Sequence, residues 1–247
     1  MDTPRRRTVT ARVVTAVALT AALAACAPPS TPGSPSAPAS ATPPPAPTVT
    51  LAPVPLLEQG TRNMLDAPSK RLVGKVALAI ATQELEVFYV GKDAKGTRTE
   101  RAMGMESVVR FVKVGDSLYI LASEHYWQGH VGLESLARLS NTWVRVAANN
   151  PNHGGLVALE ENPTLMKPAG AVTQVGTDTI GGMPAVVLAD TAGNRYAVAT
   201  GATPYLLRVN ATQNTEVGQA TAEFTFSEFG AVTETISAPT GKIVDLR

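Results

Sequence analysis

SVVRFVKVGDSLYILA, residues 107–122, is the stretch that decides the fold class. Ser107–Val114 and Leu118–Ala122 are apolar-rich runs, and Gly115-Asp116 between them is a two-residue turn signal. Glycine supplies the positive φ that such tight reversals demand, so the segment reads as an antiparallel hairpin. Upstream, Leu72, Gly74, Val76, Leu78 and Ile80 alternate with Arg71, Val73, Lys75, Ala77 and Ala79. Leu85, Val87 and Tyr89 alternate with Glu84, Glu86 and Phe88. Both are period-two patterns and predict strands with one apolar face. Gly91–Gly96 reads as a turn, and the polar Thr97–Met103 as an edge strand.

Helices flank this run. Leu56-Leu57, Gly60, Met64 and Leu65 recur at helical spacing, and Asp66-Ala67-Pro68 ends the helix because proline disfavours helical backbone in the residue before it. A second helix is expected over Glu124–Leu139, then a strand at Thr142–Val146, a loop over Ala147–Gly155 and a short helix over Leu156–Met166 interrupted by Pro163. From Val172 onward the pattern is strands: Val172–Gly176, Pro184–Ala189, Arg195–Thr200, Leu206–Asn210, Thr221–Phe229 and Val232–Ser237. The expected class is α+β: a curved antiparallel β-sheet forming an unclosed half-barrel capped by short α-helices.

The N-terminus gives the compartment. Arg5, Arg6, Arg7 and Arg12 precede an uncharged run, Val13–Ala25, that is shorter than the roughly 18–20 residues a spanning helix needs. Leu23-Ala24-Ala25-Cys26 follows the lipobox pattern and holds the chain's single cysteine. One cysteine in an exported chain forms no internal disulfide, so acylation of Cys26 is the expectation, with residues 1–25 a cleaved signal peptide. Ala27–Pro55 is nearly all Ala, Pro, Ser and Thr, carries no charge and holds 11 of the 19 prolines. Such a composition cannot bury enough apolar surface to offset ordering, so residues 26–55 read as an acylated cysteine and an extended tether to a domain at 56–247. Of 21 Lys+Arg and 20 Asp+Glu, removing residues 1–25 takes four arginines and Asp2, leaving 17 basic and 19 acidic residues and a charge of −2. No basic stripe remains for nucleic acid.

Catalytic patterns are sparse. His125, His130 and His153 are the only histidines; His130 and Glu134 share a helical face, whereas a zinc site needs three or four converging ligands. The histidines are expected in exposed or capping roles, with no metal and no cofactor. A Ser–His–acid triad need not be local in sequence, but no Gly-x-Ser-x-Gly elbow is present. Gly181-Gly182 lacks the strand–loop–helix frame of a phosphate loop and reads as a turn. Glu160-Glu161 reads as a solvated face; Trp127 and Trp143 suit helix-to-sheet packing, and aromatic anchors of this kind can also rim a ligand mouth.

Several segments together resemble actinobacterial lipoproteins of the LppX/LprG type, which share the fold of the LolA and LolB carriers. They are Val114–Ile120, Tyr126-Trp127, Asn141–Val146, Gly182–Leu188, Pro204–Val209, Phe224–Gly230, Pro239 and Ile243-Val244-Asp245. The resemblance spans residues 56–247. It implies an open barrel around an apolar cavity that binds acylated lipids or glycolipids, with no catalytic residues. The inward rows expected to line that interior are Val76, Leu78, Ile80, Leu85, Val87, Phe111, Ile120, Phe224 and Phe226. Two functions follow. One is a non-enzymatic lipid carrier held by acylated Cys26 on the extracytoplasmic face of the cell membrane. The other is a structural lipoprotein with a solid core that binds another envelope protein.

Overall fold

The computed structural model describes residues 51–153, 157, 167–215 and 218–246. The leader, Cys26 and nearly all of the expected Leu156–Met166 helix lie outside them. Helix α1 (Pro53–Asp66) is followed by five strands, β1 (Ser69–Ala77), β2 (Ala81–Val90), β3 (Asp93–Ala102), β4 (Met105–Val114) and β5 (Ser117–Ala122). Short helices α2 (Glu124–Gln128) and α3 (Leu133–Leu139) lead to β6 (Trp143–Ala147). The second half is β7 (Val172–Ile180), β8 (Met183–Asp190), β9 (Arg195–Ala199), β10 (Leu206–Thr215), β11 (Gly218–Ser227) and β12 (Ile243–Asp245).

All twelve strands join one curved, unclosed sheet in the order β12-β6-β5-β4-β3-β2-β1-β11-β10-β9-β8-β7. Every pairing is antiparallel except the parallel β12–β6 contact. Two meanders, β1–β6 and β7–β11, meet where β1 pairs with β11, and this junction explains the uninterrupted hairpin signals. The Gly115-Asp116 hairpin forms as expected, with Val114 opposite Ser117 and Gly115 at φ +55°.

Alternation puts one face of the sheet against the helices. Phe226, Leu72, Val87, Gly96, Phe111, Ile120, Val144 and Val244 stand side by side across eight strands. Apart from Gly96 and Val244 they are buried. α1 adds Leu56, Leu57 and Met64 to the same core, and α2 adds Tyr126 and Trp127. Proline begins α1, where its missing N–H costs nothing, and Lys70 caps its far end by donating to the Leu65 carbonyl at 2.7 Å. The other face is charged. Arg71–Glu86, Lys75–Glu84, Arg101–Glu84, Arg101–Glu106 and Arg145–Asp245 pair across neighbouring strands in exposed positions, where they favour solubility more than stability.

Four expectations are corrected. β1 ends at Ala77, opposite Thr221, and Leu78–Ile80 reverse the chain, with the Leu78 N–H donating to the Ala81 carbonyl at 2.8 Å. Thr97–Met103 is no edge, because β3 lies between β2 and β4, with Thr97, Thr99 and Arg101 on the charged face and Arg98 and Glu100 on the covered one. The Glu124–Leu139 helix is broken: Gly129 caps α2 and Gly132 precedes α3, and glycine destabilises a helix interior. Val232–Ser237 forms no strand. Gly230 N–H donates to the Ser69 carbonyl and Val232 N–H to Ser69 Oγ, so the chain leaves the sheet to cap the start of β1.

Candidate functional site

The helices divide the covered face. α1 packs on β7, β9 and β10, and α2 packs on β4 and β5. Among the described residues the middle strands β11, β1, β2 and β3 take no comparable helix contact. Their covered-face side chains are Phe224, Leu85 and Arg98 in one row and Ala222, Val76, Gln83 and Glu100 in the next. Leu85, Val76 and Arg98 are half-buried, whereas the flanking rows under the helices are closed off. This strip is the candidate site.

The nine residues expected to line the interior separate into three groups. Val87, Phe111, Ile120, Phe224 and Phe226 are buried in the core. Val76 and Leu85 are half-buried within the strip, and Leu78 is half-buried in the β1–β2 turn outside it. Ile80 does not line it: the residue lies in the β1–β2 turn and is 61% exposed, because the strand has already ended. Two glycines shape the strip's floor. Gly74 sits opposite Phe224 and Gly96 opposite Phe111, and each lets the neighbouring ring lie flat across the backbone.

Polar chemistry borders the strip under α2, and sequence reasoning missed it. His153 is buried, contrary to an exposed or capping role, and its Nδ1 lies 2.9 Å from the Tyr126 hydroxyl. The Tyr126 ring stacks on His130 at 4.3 Å, and the two histidine rings are 5.0 Å apart. His130 Nδ1 hydrogen-bonds the Tyr126 carbonyl at 2.7 Å. Burial pushes His153 down to about 4, with the charges of His130 and Arg98 acting in the same direction. Burial also pushes Tyr126 up to about 12, against the opposing effect of Arg98. His153 is therefore neutral at neutral pH and shares a hydrogen bond with the Tyr126 hydroxyl through Nδ1. The 27 residues between Tyr126 and His153 hide this pair from any local motif.

Asp190 shows a second buried polar arrangement, and its role is structural. Burial raises its pKa, but donors from Ala169 N–H, Asn194 N–H, the Asn194 amide and the Tyr196 hydroxyl outweigh that and hold it below the usual range. The network ties the β8–β9 turn to the chain entering β7. Among the described residues no group of three or more His, Cys, Asp or Glu side chains is placed to hold a metal, and no helix is long and apolar enough to cross a membrane. A groove of about 460 Å³ on the charged face runs between Val73, Lys75, Glu84, Glu86, Thr97 and Glu223, with Gly74 and Leu85 at its base.

No family model matches this chain, and neither does any curated protein. Solved structures with a distant likeness include an uncharacterized conserved protein from Thermus thermophilus, at 10% identity and TM-score 0.38, over 78% of this chain and 98% of that one. MucB in complex with periplasmic MucA aligns at 15% identity and TM-score 0.31, over 71% of this chain. The Pseudomonas aeruginosa MucA/MucB complex aligns at 16% identity and TM-score 0.32, over 70% of this chain. In both complexes this chain spans about half, 54%, of the matched chain. Likenesses this distant say nothing of ligand or partner.

Proposed function

We propose that this chain is a lipoprotein, held on the extracytoplasmic face of the cell membrane by acylated Cys26, that binds an acyl-bearing molecule along its helix-flanked strip and carries it through the envelope. The observation that supports the reading is that, among the described residues, no helix packs closely on β11, β1, β2 and β3, where Leu85 and Val76 are half-buried. An alkyl chain laid there gains about 0.8 kcal/mol per methylene removed from water, enough to compete with a bilayer only if many methylenes are covered. In this reading the unclosed sheet is a half-barrel, the short helices are its cap, and the resemblance to LppX/LprG-type lipoproteins with a LolA/LolB-like fold is one of kind. No catalytic step is invoked.

Native mass spectrometry and solvent extraction of the chain purified from its own envelope test this. Co-purifying lipid released on unfolding is the expected result, and repeated absence of lipid would overturn the carrier reading. A second reading has its own support. The buried row from Phe226 to Val144 is a close-packed core, and a chain with such a core can act as a structural lipoprotein that binds another envelope protein by its outer surface.

A further inference from the structure

Four buried polar atoms among the described residues have no hydrogen-bond partner and belong to neighbouring elements, β3, β4 and the start of α2: Arg98 Nε, Ser107 Oγ, Ser123 Oγ and Trp127 Nε1. Register brings their elements side by side. Arg98 stands opposite Val109, which stands opposite Ala122, and Ser123 follows Ala122 at the head of α2. Ser107 is two residues from Val109 on the same face of β4. Trp127 belongs to α2, which packs on β4 and β5, and is 0% exposed; Ser107 is 9% exposed. The remaining atoms of this kind, on Thr61, Arg208 and Asn210, belong to α1 and β10.

The chemistry of the four is one-sided. Indole and guanidinium nitrogens only donate, and a serine hydroxyl donates as readily as it accepts. Arg98 adds a full positive charge and has no carboxylate within ion-pair reach among the described residues. Glu100, two residues along the same face, takes the Gln83 amide at 3.4 Å instead. An unmade buried donor costs about 1–3 kcal/mol, so the Arg98 Nε–H and the Trp127 indole N–H, with two serine hydroxyls on neighbouring elements, favour an acceptor at this place. The field of Arg98 reaches both Tyr126 and His153, which places its charge at this end of the strip. Beside it the surface turns apolar at once, because Leu85 is its registered neighbour on β2 and Val76 lies in the next row.

We propose that Arg98, Trp127 Nε1, Ser107 and Ser123 form a site for the anionic head group, carboxylate or phosphate, of an acyl-chain ligand whose tail lies along Leu85 and Val76. The inference rests on the carrier reading and adds the class of head group to it.

The test uses the full chain carrying Cys26→Ser, so that no attached acyl group competes, titrated with palmitate, hexadecyl phosphate, hexadecanol, acetate and inorganic phosphate. Palmitate and hexadecyl phosphate are expected to bind at least about ten-fold more tightly than hexadecanol, a difference of about 1.4 kcal/mol. Arg98→Met should erase that preference and leave hexadecanol binding within about two-fold. Ser107→Ala, which removes an unpartnered hydroxyl and so spares the fold, should lower palmitate affinity about three-fold even if Arg98→Met proves unstable. Equal affinity for palmitate and hexadecanol, or equal weakening of both by Arg98→Met, overturns the head-group site and leaves the carrier reading standing. Binding of inorganic phosphate as tight as hexadecyl phosphate also overturns it, in favour of a site for the free ion. Binding of none of the amphiphiles removes the site and the carrier reading together.

Discussion

Phe111 lies across Gly96, its registered partner on β3, so closely that a Cβ built on Gly96 would stand 2.7 Å from Phe111 Cζ. The same arrangement recurs one row away, where a Cβ on Gly74 would stand 2.6 Å from Phe224 Cδ1. Each glycine gives up strand propensity so that an aromatic ring can cover two strands at once. Real Cβ atoms do not approach other atoms so closely, and the ring at Gly96 is held from the far side by the buried core.

Gly96→Ala should therefore destabilise the domain, although alanine is otherwise no worse than glycine in a strand. Overpacking of this kind costs about 1–3 kcal/mol. Urea unfolding followed by tryptophan fluorescence measures it. Adding Phe111→Leu should recover only part of the loss, because the Glu86 carbonyl also crowds the new methyl group. An unchanged midpoint for Gly96→Ala would refute the packing described here.

Met103 offers a change of opposite sign. It sits with Gly104 in the two-residue β3–β4 turn at φ +50°, is 80% exposed, and adopts a left-handed conformation without burying its side chain. Asn-Gly is the preferred pair for such a turn. Met103→Asn should raise stability by about 0.5–1 kcal/mol, since the left-handed region costs most L-residues about 1–2 kcal/mol and asparagine less. A lower thermal midpoint for the variant would contradict the turn geometry.

These residues also show what a sequence can and cannot reveal. The Gly115-Asp116 hairpin and the alternation through Leu72, Val76, Leu85 and Val87 were legible, because period and turn chemistry are local. Strand ends were not. Ile80 continues the alternation, yet pairing with β11 has stopped three residues earlier, and only the partner strand records that. The place of β3 inside the sheet was equally hidden, because a polar strand between two charged neighbours looks like an edge. The candidate site was the least legible part. Arg98, Ser107, Trp127 and His153 come from β3, β4, α2 and a loop, and no spacing rule links them.

His153 makes the stability of the domain depend on pH. Its pKa is about 4 in the folded chain against an ordinary value of 6.5, so between these values the unfolded chain binds more protons than the folded one. Stability is therefore full above about pH 7 and falls as the pH drops from there toward 4. The loss is on the order of 2–3 kcal/mol at about 1.4 kcal/mol per unit. His153→Gln, which keeps an acceptor for the Tyr126 hydroxyl and cannot be protonated, should flatten the slope of unfolding free energy between pH 7 and pH 4.5. A variant as steep as the parent would assign the slope to other groups.

The proposed acylation of Cys26 has a direct test in cells. Cys26→Ala removes the only thiol in the chain, so an alkyne-tagged fatty acid supplied to cells should no longer label the protein, and the protein should leave the membrane fraction. Undiminished labelling of the variant would exclude the lipobox as the acylation site.

Leu85→Trp separates a ligand-binding strip from a packed interior. Leu85 lies half-buried on β2 between Gly74 and Arg98, in the part of the covered face on which no described helix packs closely, whereas Leu78 belongs to a turn and reports nothing about the interior. In a close-packed core the larger indole has no space and should cost about 1–3 kcal/mol. In an open strip it covers apolar surface, stability stays within about 0.5 kcal/mol as for substitutions away from packed sites, and bound lipid is displaced. Phe111→Ala is the reference on the same chain. That ring is 1% exposed, and its removal should cost about 3–5 kcal/mol in either case. The carrier reading therefore requires a split: a large loss for Phe111→Ala, almost none for Leu85→Trp, and less co-purifying lipid in the tryptophan variant. Comparable losses in both, with no lipid in the parent, would leave the solid-core, partner-binding lipoprotein as the surviving account.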